Sequence, residues 1–211
     1  MFFSPFWEPS EFCEKYHTLN PLKKMSSKRA KQAKLPIIDA PKRIKVLAIG
    51  AGTVGKSCLI KRYCEERFVS KYIATIGIDY GVKPVNVDGI DVRVNFWDLS
   101  GHAEFFEVRN EFYKDAQGIV LVYDCTNRES FNDCDKWMAE ATKYGANCNE
   151  VPLILCANKT DKKGRAVNED EGQTYASNRG MKYFEVSAQS GMHVEDMFND
   201  LFSDVVRNSY H

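Results

Sequence analysis

From Arg43 onward the chain switches repeatedly between short apolar runs and stretches with helical spacing. Ile44–Ile49 reads as a short strand, Gly50–Ser57 as a glycine-rich turn, and Cys58–Arg67 as a helix. Two runs rich in β-branched residues follow, Ile78–Val87 and Ile90–Trp97, separated by Asp88-Gly89. Asp-Gly between alternating runs is a strong hairpin signal, because both residues accept the left-handed backbone that a tight turn needs. Gly118–Tyr123 and Val151–Cys156 are continuously apolar, as strands covered on both faces are. Ser130–Tyr144, carrying Phe131, Trp137, Met138 and Ala141 on one face, predicts an amphipathic helix. Asn168–Arg179 (helix), Lys182–Val186 (strand) and Val194–Val206 (helix) complete the order. Strands alternating with helices predict an α/β fold: a six-stranded, mainly parallel sheet with one antiparallel edge strand and helices on both faces. Ligands on such a sheet bind beyond the carboxyl ends of the strands.

Residues 1–42 hold neither period and read as a separate, flexible extension ahead of a domain over 43–211. Pro5, Pro9, Pro21, Pro36 and Pro41 interrupt them, and Lys23–Lys34 carries six basic residues and no acid. The net charge of zero argues against bulk affinity for nucleic acid, but the extension's eight Lys/Arg against four acids leave the rest of the chain acidic. The basic run is compatible with nuclear import or with weak, salt-sensitive attraction to an anionic membrane surface. No apolar stretch approaches the ~18 residues that span a bilayer. No C-a-a-X box closes the sequence, so no stable lipid anchor is expected. Seven cysteines are scattered without a C-x-x-C pair or zinc spacing, which fits reduced thiols and a cytoplasmic setting.

The candidate chemistry sits where the strands end. Gly50-Ala51-Gly52-Thr53-Val54-Gly55-Lys56-Ser57 is a complete G-x-x-x-x-G-K-S between a strand and a helix, the context of a P-loop. Its glycines let the backbone curl so that successive N–H groups face a phosphate, and the helix N-terminus adds favourable partial charge. Gly50, Gly52, Thr53, Val54, Gly55 and Cys58 form this cradle, with Lys56 to bridge the β- and γ-phosphates and the Ser57 hydroxyl to hold Mg²⁺. Asp98, ending the strand opposite, occupies a Walker-B position toward that ion, and Gly101 would offer its N–H to the γ-phosphate. On its own, D-x-x-G also occurs as a plain turn.

The base is read from Asn158-Lys159-Thr160-Asp161 and Ser187-Ala188-Gln189, each directly after a strand. A carboxylate at Asp161 can accept from both N1–H and the 2-amino group of guanine, which adenine cannot supply. Asn158 and the Lys159 stem would brace the ring, and the Ala188 N–H would meet O6. An ATPase or nucleotide kinase would need a base pocket without Asp161, or an arginine-bearing lid, and the sequence shows neither.

These motifs in this order resemble the Rab/Ras family of small GTPases, a P-loop NTPase G domain. The segments Lys61–Tyr72, Ala74–Val82 and Glu107–Asp115 resemble most the Rab-like proteins that carry a C-terminal DnaJ domain. The resemblance implies a monomeric GTP/GDP switch with Mg²⁺ held by Ser57, Thr75 and Asp98. It implies switch segments at Ser70–Ile78 and Leu99–Tyr113, effector proteins read through them, and an exchange factor and an activating protein. It further implies that Thr75 closes on the ion and γ-phosphate and that Phe68 packs against the base, although an aromatic after a helix also serves as a core plug. Two departures stand out. No His-Pro-Asp tripeptide occurs, so a J domain and its Hsp70 partnership are not expected to carry over. After Asp-x-x-Gly the family usually has a water-orienting Gln, and here stands His102. Catalysis by Lys56, Thr75, Gly101 and His102 is therefore expected to be slow positioning chemistry, with a non-hydrolysing GTP-bound scaffold as the alternative. Ile76, Phe105, Phe106 and Trp97 are the expected apolar patch for effectors, with Trp97 equally suited to the core.

Overall fold

The computed structural model of the chain describes residues 42–210. The basic extension read over residues 1–42 lies, Lys42 apart, outside the described residues. The strands are β1 (Lys42–Ile49), β2 (Ile78–Val87), β3 (Ile90–Leu99), β4 (Gly118–Asp124), β5 (Leu153–Asn158) and β6 (Lys182–Glu185). They form one six-stranded sheet in the order β2-β3-β1-β4-β5-β6. Only β2 runs antiparallel, paired with β3 from Ile78↔Leu99 to Val87↔Ile90. The turn between them has positive φ at both residues, 52° at Asp88 and 83° at Gly89, the geometry that matches the twist of the flanking strands.

The helices are α1 (Lys56–Glu65), α2 (Phe106–Arg109), α3 (Arg128–Asn132), α4 (Cys134–Lys143), α5 (Glu169–Ser177) and α6 (Val194–Tyr210). Period-2 alternation in β1 divides its side chains between two cores. Ile44, Val46 and Ala48 face Leu59 and Tyr63 of α1 and Phe198 and Phe202 of α6. Leu47 and Ile49 face Trp137 and Ala141 of α4 and Ala176 of α5. Every residue of β4 and β5 is buried, which explains their unbroken apolar runs.

The differences from the expected spans have local causes. The single helix expected over Ser130–Tyr144 is two, α3 and α4, meeting at Asp133 (φ −80°, ψ −5°). Its start lies earlier because the Asn127 side chain caps the N–H groups of Glu129 and Ser130. β5 begins at Leu153 rather than Val151, since Pro152 has no N–H for the ladder and gives only its carbonyl, to Ile119 N at 3.0 Å. The helix expected to reach Arg67 stops at Glu65, where Glu66 turns left-handed (φ 56°) and returns its N–H to Arg62 O. Short helical turns at Ala103–Phe105 and Asn110–Phe112 flank α2 in a stretch without a clear sequence period. Among the described residues no helix is long and apolar enough to cross a membrane.

Candidate functional site

The carboxyl ends of β1, β3, β5 and β6 converge on a cleft of ≈ 380 Å³, within the size range of small-molecule sites. Of the residues expected at the site, Gly52, Thr53, Gly55, Lys56, Ser57, Cys58, Phe68, Thr75, Gly101, His102, Asn158, Lys159, Asp161, Ala188 and Gln189 all line it. Gly50, Val54, Asp98 and Ser187 stand directly behind and hold the lining in place.

The loop from Gly50 to Gly55 leads into α1 without any side chain capping its first turn. Gly55 takes φ 102°, and a Cβ there would lie 2.4 Å from Asn158 Nδ2, so sterics and backbone both demand glycine. Lys56 bends back over the loop, donating to Gly50 O at 2.7 Å and Ala51 O at 2.8 Å. Burial pushes its ammonium down to about 8, with the Asp98 carboxylate opposing that shift. Gly101 approaches the loop from β3; an added Cβ would sit 2.3 Å from Ala51 C and Gly52 N. His102 follows, its ring lying over Gly52 and its Nε2 3.0 Å from the Tyr72 hydroxyl.

Below Lys56, three oxygen-bearing side chains meet. Ser57 Oγ donates to Asp98 Oδ2 at 2.5 Å, Thr75 Oγ1 lies 3.0 Å from Ser57 Oγ, and Thr75 Oγ1 donates to Asp98 Oδ2 at 3.2 Å. Asp98 is 3% exposed, and its Oδ1 has no hydrogen-bond partner among the described residues. Burial raises the Asp98 carboxyl, against the Lys56 charge and the bonds from Ser57 and Thr75. A cluster of hard oxygen donors with one buried carboxylate oxygen unpaired fits a small divalent cation such as Mg²⁺.

At the far end of the cleft, Asn158 ties the loops together. Its Nδ2 donates to Val54 O at 2.8 Å, and its Oδ1 accepts from the Ala188 N–H at 3.1 Å. Lys159, left-handed at φ 68°, reaches back to Thr53 O at 2.7 Å and pairs with Asp124 at 2.6 Å. Despite burial, hydrogen bonds from Lys159 and Thr126 keep the Asp124 carboxyl below the usual range. Ser187 Oγ donates to Asp161 Oδ1 at 2.6 Å, fixing the exposed carboxylate at the cleft edge. Phe68, 36% exposed, lines the cleft rather than plugging the core.

The expected apolar patch divides. Ile76 stands open at 81% exposure. Trp97 is half-buried between Tyr80 and Phe112, at ring distances of 4.7 and 5.0 Å. Phe106 packs edge-on against Tyr144, and Phe105 is half-buried. Ile73, Tyr80 and Val82, not singled out from the sequence, are also exposed.

A second group was also invisible in the motifs. Arg109 makes a bidentate pair with Glu140 of α4 at 2.6 and 2.9 Å and donates to the carbonyls of Ser100 (3.3 Å) and His102 (2.7 Å). It thereby clamps the chain on either side of Gly101. No spacing rule connects Arg109 to Glu140, and only a helix-face reading of α4 could have placed Glu140 inward.

A P-loop, an acidic strand end and an Asn-Lys-x-Asp loop gathered on a singly antiparallel six-stranded sheet define the small-GTPase domain. The Ras family profile matches residues 45–207, and the chain belongs to the Ras family. Among curated relatives it is similar to the DnaJ homolog subfamily C member 27 of Danio rerio, 52% identical over 167 residues (77% of this chain, 61% of that protein). The Rattus norvegicus and Homo sapiens proteins of that name are 51% and 50% identical over 168 residues, 78% of this chain and 62% of theirs. The chain thus spans less than two thirds of the length of these relatives.

Proposed function

We propose that the protein is a Rab-like guanine-nucleotide switch that binds GTP and GDP with Mg²⁺ and hydrolyses GTP slowly. The observation that carries this reading is the convergence of the P-loop, the Ser57–Thr75–Asp98 oxygen cluster and the Asp161–Ala188 end on one cleft. Lys56, buried with a depressed pKa, gains a favourable partner when phosphates enter, and Mg²⁺ supplies charge neutralisation beside the phosphates. Ser57, Thr75 and Asp98 are the residues that would hold the ion. Gly101 and the loop N–H groups face the phosphate end, while Asn158, Lys159, Asp161, Ser187, Ala188, Gln189 and Phe68 serve the base.

Slow turnover rests on His102. Its Nε2 is engaged by the Tyr72 hydroxyl at 3.0 Å, and its planar ring differs in reach from the amide that usually orients water at this position. The same pairing supports a second reading, a long-lived GTP-bound scaffold. Effectors would dock on the exposed apolar residues Ile73, Ile76, Tyr80 and Val82, with an exchange factor and an activating protein acting on the same segments. A cytoplasmic monomer, with weak electrostatic membrane contact or nuclear entry through the basic extension, fits this reading.

The test is to denature the purified full chain and identify the nucleotide it releases, then to compare single-turnover hydrolysis with His102→Gln. GTP in the extract and faster turnover by the variant support slow hydrolysis. GDP alone with unchanged turnover would make the protein an ordinary switch. Absence of any guanine nucleotide, with no binding on addition, would defeat the reading.

A further inference from the structure

We propose that Arg62 is a positioning residue for the guanine end of the cleft, tying the far end of the phosphate-binding helix to the Ser187–Gln189 loop; this rests on the nucleotide reading above. Arg62 lies in the last turn of α1 and spends all three kinds of guanidinium nitrogen on backbone carbonyls. Nε donates to Ala188 O at 2.9 Å, Nη2 to Gln189 O at 2.6 Å, and Nη1 to Glu66 O at 2.9 Å. The last of these is an ordinary helix C-terminal contact for a basic residue. The other two cross more than a hundred residues of sequence to two successive peptides of one loop. The Arg62 stem also packs under Gly191, whose added Cβ would meet Arg62 Cδ at 3.7 Å.

The geometry of the peptide gives these contacts their consequence. A peptide group is planar, so holding a carbonyl oxygen on one side aims the following N–H to the other. Ala188 is anchored on both sides: its N–H by Asn158 Oδ1 at 3.1 Å and its C=O by Arg62 at 2.9 Å. Asn158 in turn holds Val54 O of the P-loop. The loop is therefore fastened at one level to the start of α1's approach and at another to its end, making the phosphate and base halves one rigid unit. Releasing Arg62 frees the Ala188 and Gln189 peptides while leaving Lys56, Ser57 and Asp98 in place. A planar fork reaches two adjacent carbonyls at once; a lysine ammonium in the same place supplies a single mobile point.

The experiment uses the full chain with Arg62→Ala and Arg62→Lys. Dissociation of fluorescent GDP and of a fluorescent non-hydrolysable GTP analogue is followed in Mg²⁺, and competition by IDP, which lacks the 2-amino group, gives the guanine-over-hypoxanthine preference. Loss of the tie is expected to speed release of both nucleotides about tenfold, the scale of one lost hydrogen bond to a charged donor. The Gln189 carbonyl held by Arg62 aims the following Ser190 N–H at Ser187 Oγ (3.0 Å), and Ser187 Oγ fixes Asp161, so the guanine preference falls with it. Mg²⁺ dependence stays as in the wild type, and lysine restores less than half of the loss. Release rates and guanine preference within twofold of wild type, even with a lowered melting temperature, would reduce Arg62 to a helix cap and overturn the proposal. If Arg62→Ala does not fold, the same two readouts on Arg62→Lys decide. A wild-type chain that holds no guanine nucleotide would instead remove the reading on which the tie depends.

Discussion

Replacing Glu140 by alanine removes the carboxylate that pairs with Arg109 and accepts from Tyr113 Oη at 2.7 Å. The side chains of Arg109 and Glu140 are only 6% and 17% exposed, and Tyr113 is fully buried. Breaking such a pair from one side leaves a charge behind in a poorly solvated place, which costs about 3–5 kcal/mol. Arg109 keeps its bonds to the Ser100 and His102 carbonyls, which offsets part of the penalty. An orphaned Tyr113 hydroxyl adds to it. A net loss of about 4 kcal/mol follows, or about 8–16 °C in melting temperature for a domain of this size. The assay is thermal unfolding of the full chain at neutral pH, alongside Arg109→Met/Glu140→Leu, which removes both charges and should recover part of the stability, the Tyr113 hydroxyl and the Ser100 and His102 carbonyls having lost their partners.

The pH dependence has a definite sign. Burial alone would raise the Glu140 carboxyl, but hydrogen bonds from Arg109 and Tyr113 hold it below its ordinary value. A carboxylate with a depressed folded pKa contributes stability above its unfolded value, about 4.3, and loses it as pH falls through the folded one. The gap between wild type and Glu140→Ala should therefore be full at pH 7 and narrow below about pH 4. A variant melting within about 2 °C of wild type, or a double variant as unstable as the single one, would refute the account of this clamp.

Two further outcomes follow from single contacts. Gly101→Ala places a methyl group against the P-loop backbone, 2.3 Å from Ala51 C, and should cost about 1–3 kcal/mol by denaturant unfolding, with weaker nucleotide retention on gel filtration. Asn127→Ala removes the side chain that caps α3 and should lower stability by about 1 kcal/mol while leaving nucleotide release unchanged, as measured by denaturation and fluorescence.

The element order and the sheet's single antiparallel pair were legible because they follow from local rules. Period-2 and continuous apolar runs report how many faces of a strand are covered, and Asp88-Gly89 specifies its turn from backbone sterics. The placement of the G-x-x-x-x-G-K-S loop, Asp98 and the Asn158–Asp161 loop at strand ends around one cleft was legible because these residue types stand at fixed short spacing directly after a strand. Helix ends were less so, since Glu66 and Asp133 stop or interrupt helices through backbone states that no residue type enforces.

What tertiary structure alone decided is which distant groups meet. Arg62 and Arg109 look like ordinary surface cations in sequence, yet one gathers the Ala188 and Gln189 carbonyls and the other brackets Gly101. Tyr72 reaches His102 across thirty residues, and Phe106, expected to face outward, turns against Tyr144. The physical reason is the same in each case. A motif encodes the first contact with a ligand, whereas the groups that hold the motif still are chosen by the packing of elements far apart in the chain, where sequence spacing carries no distance.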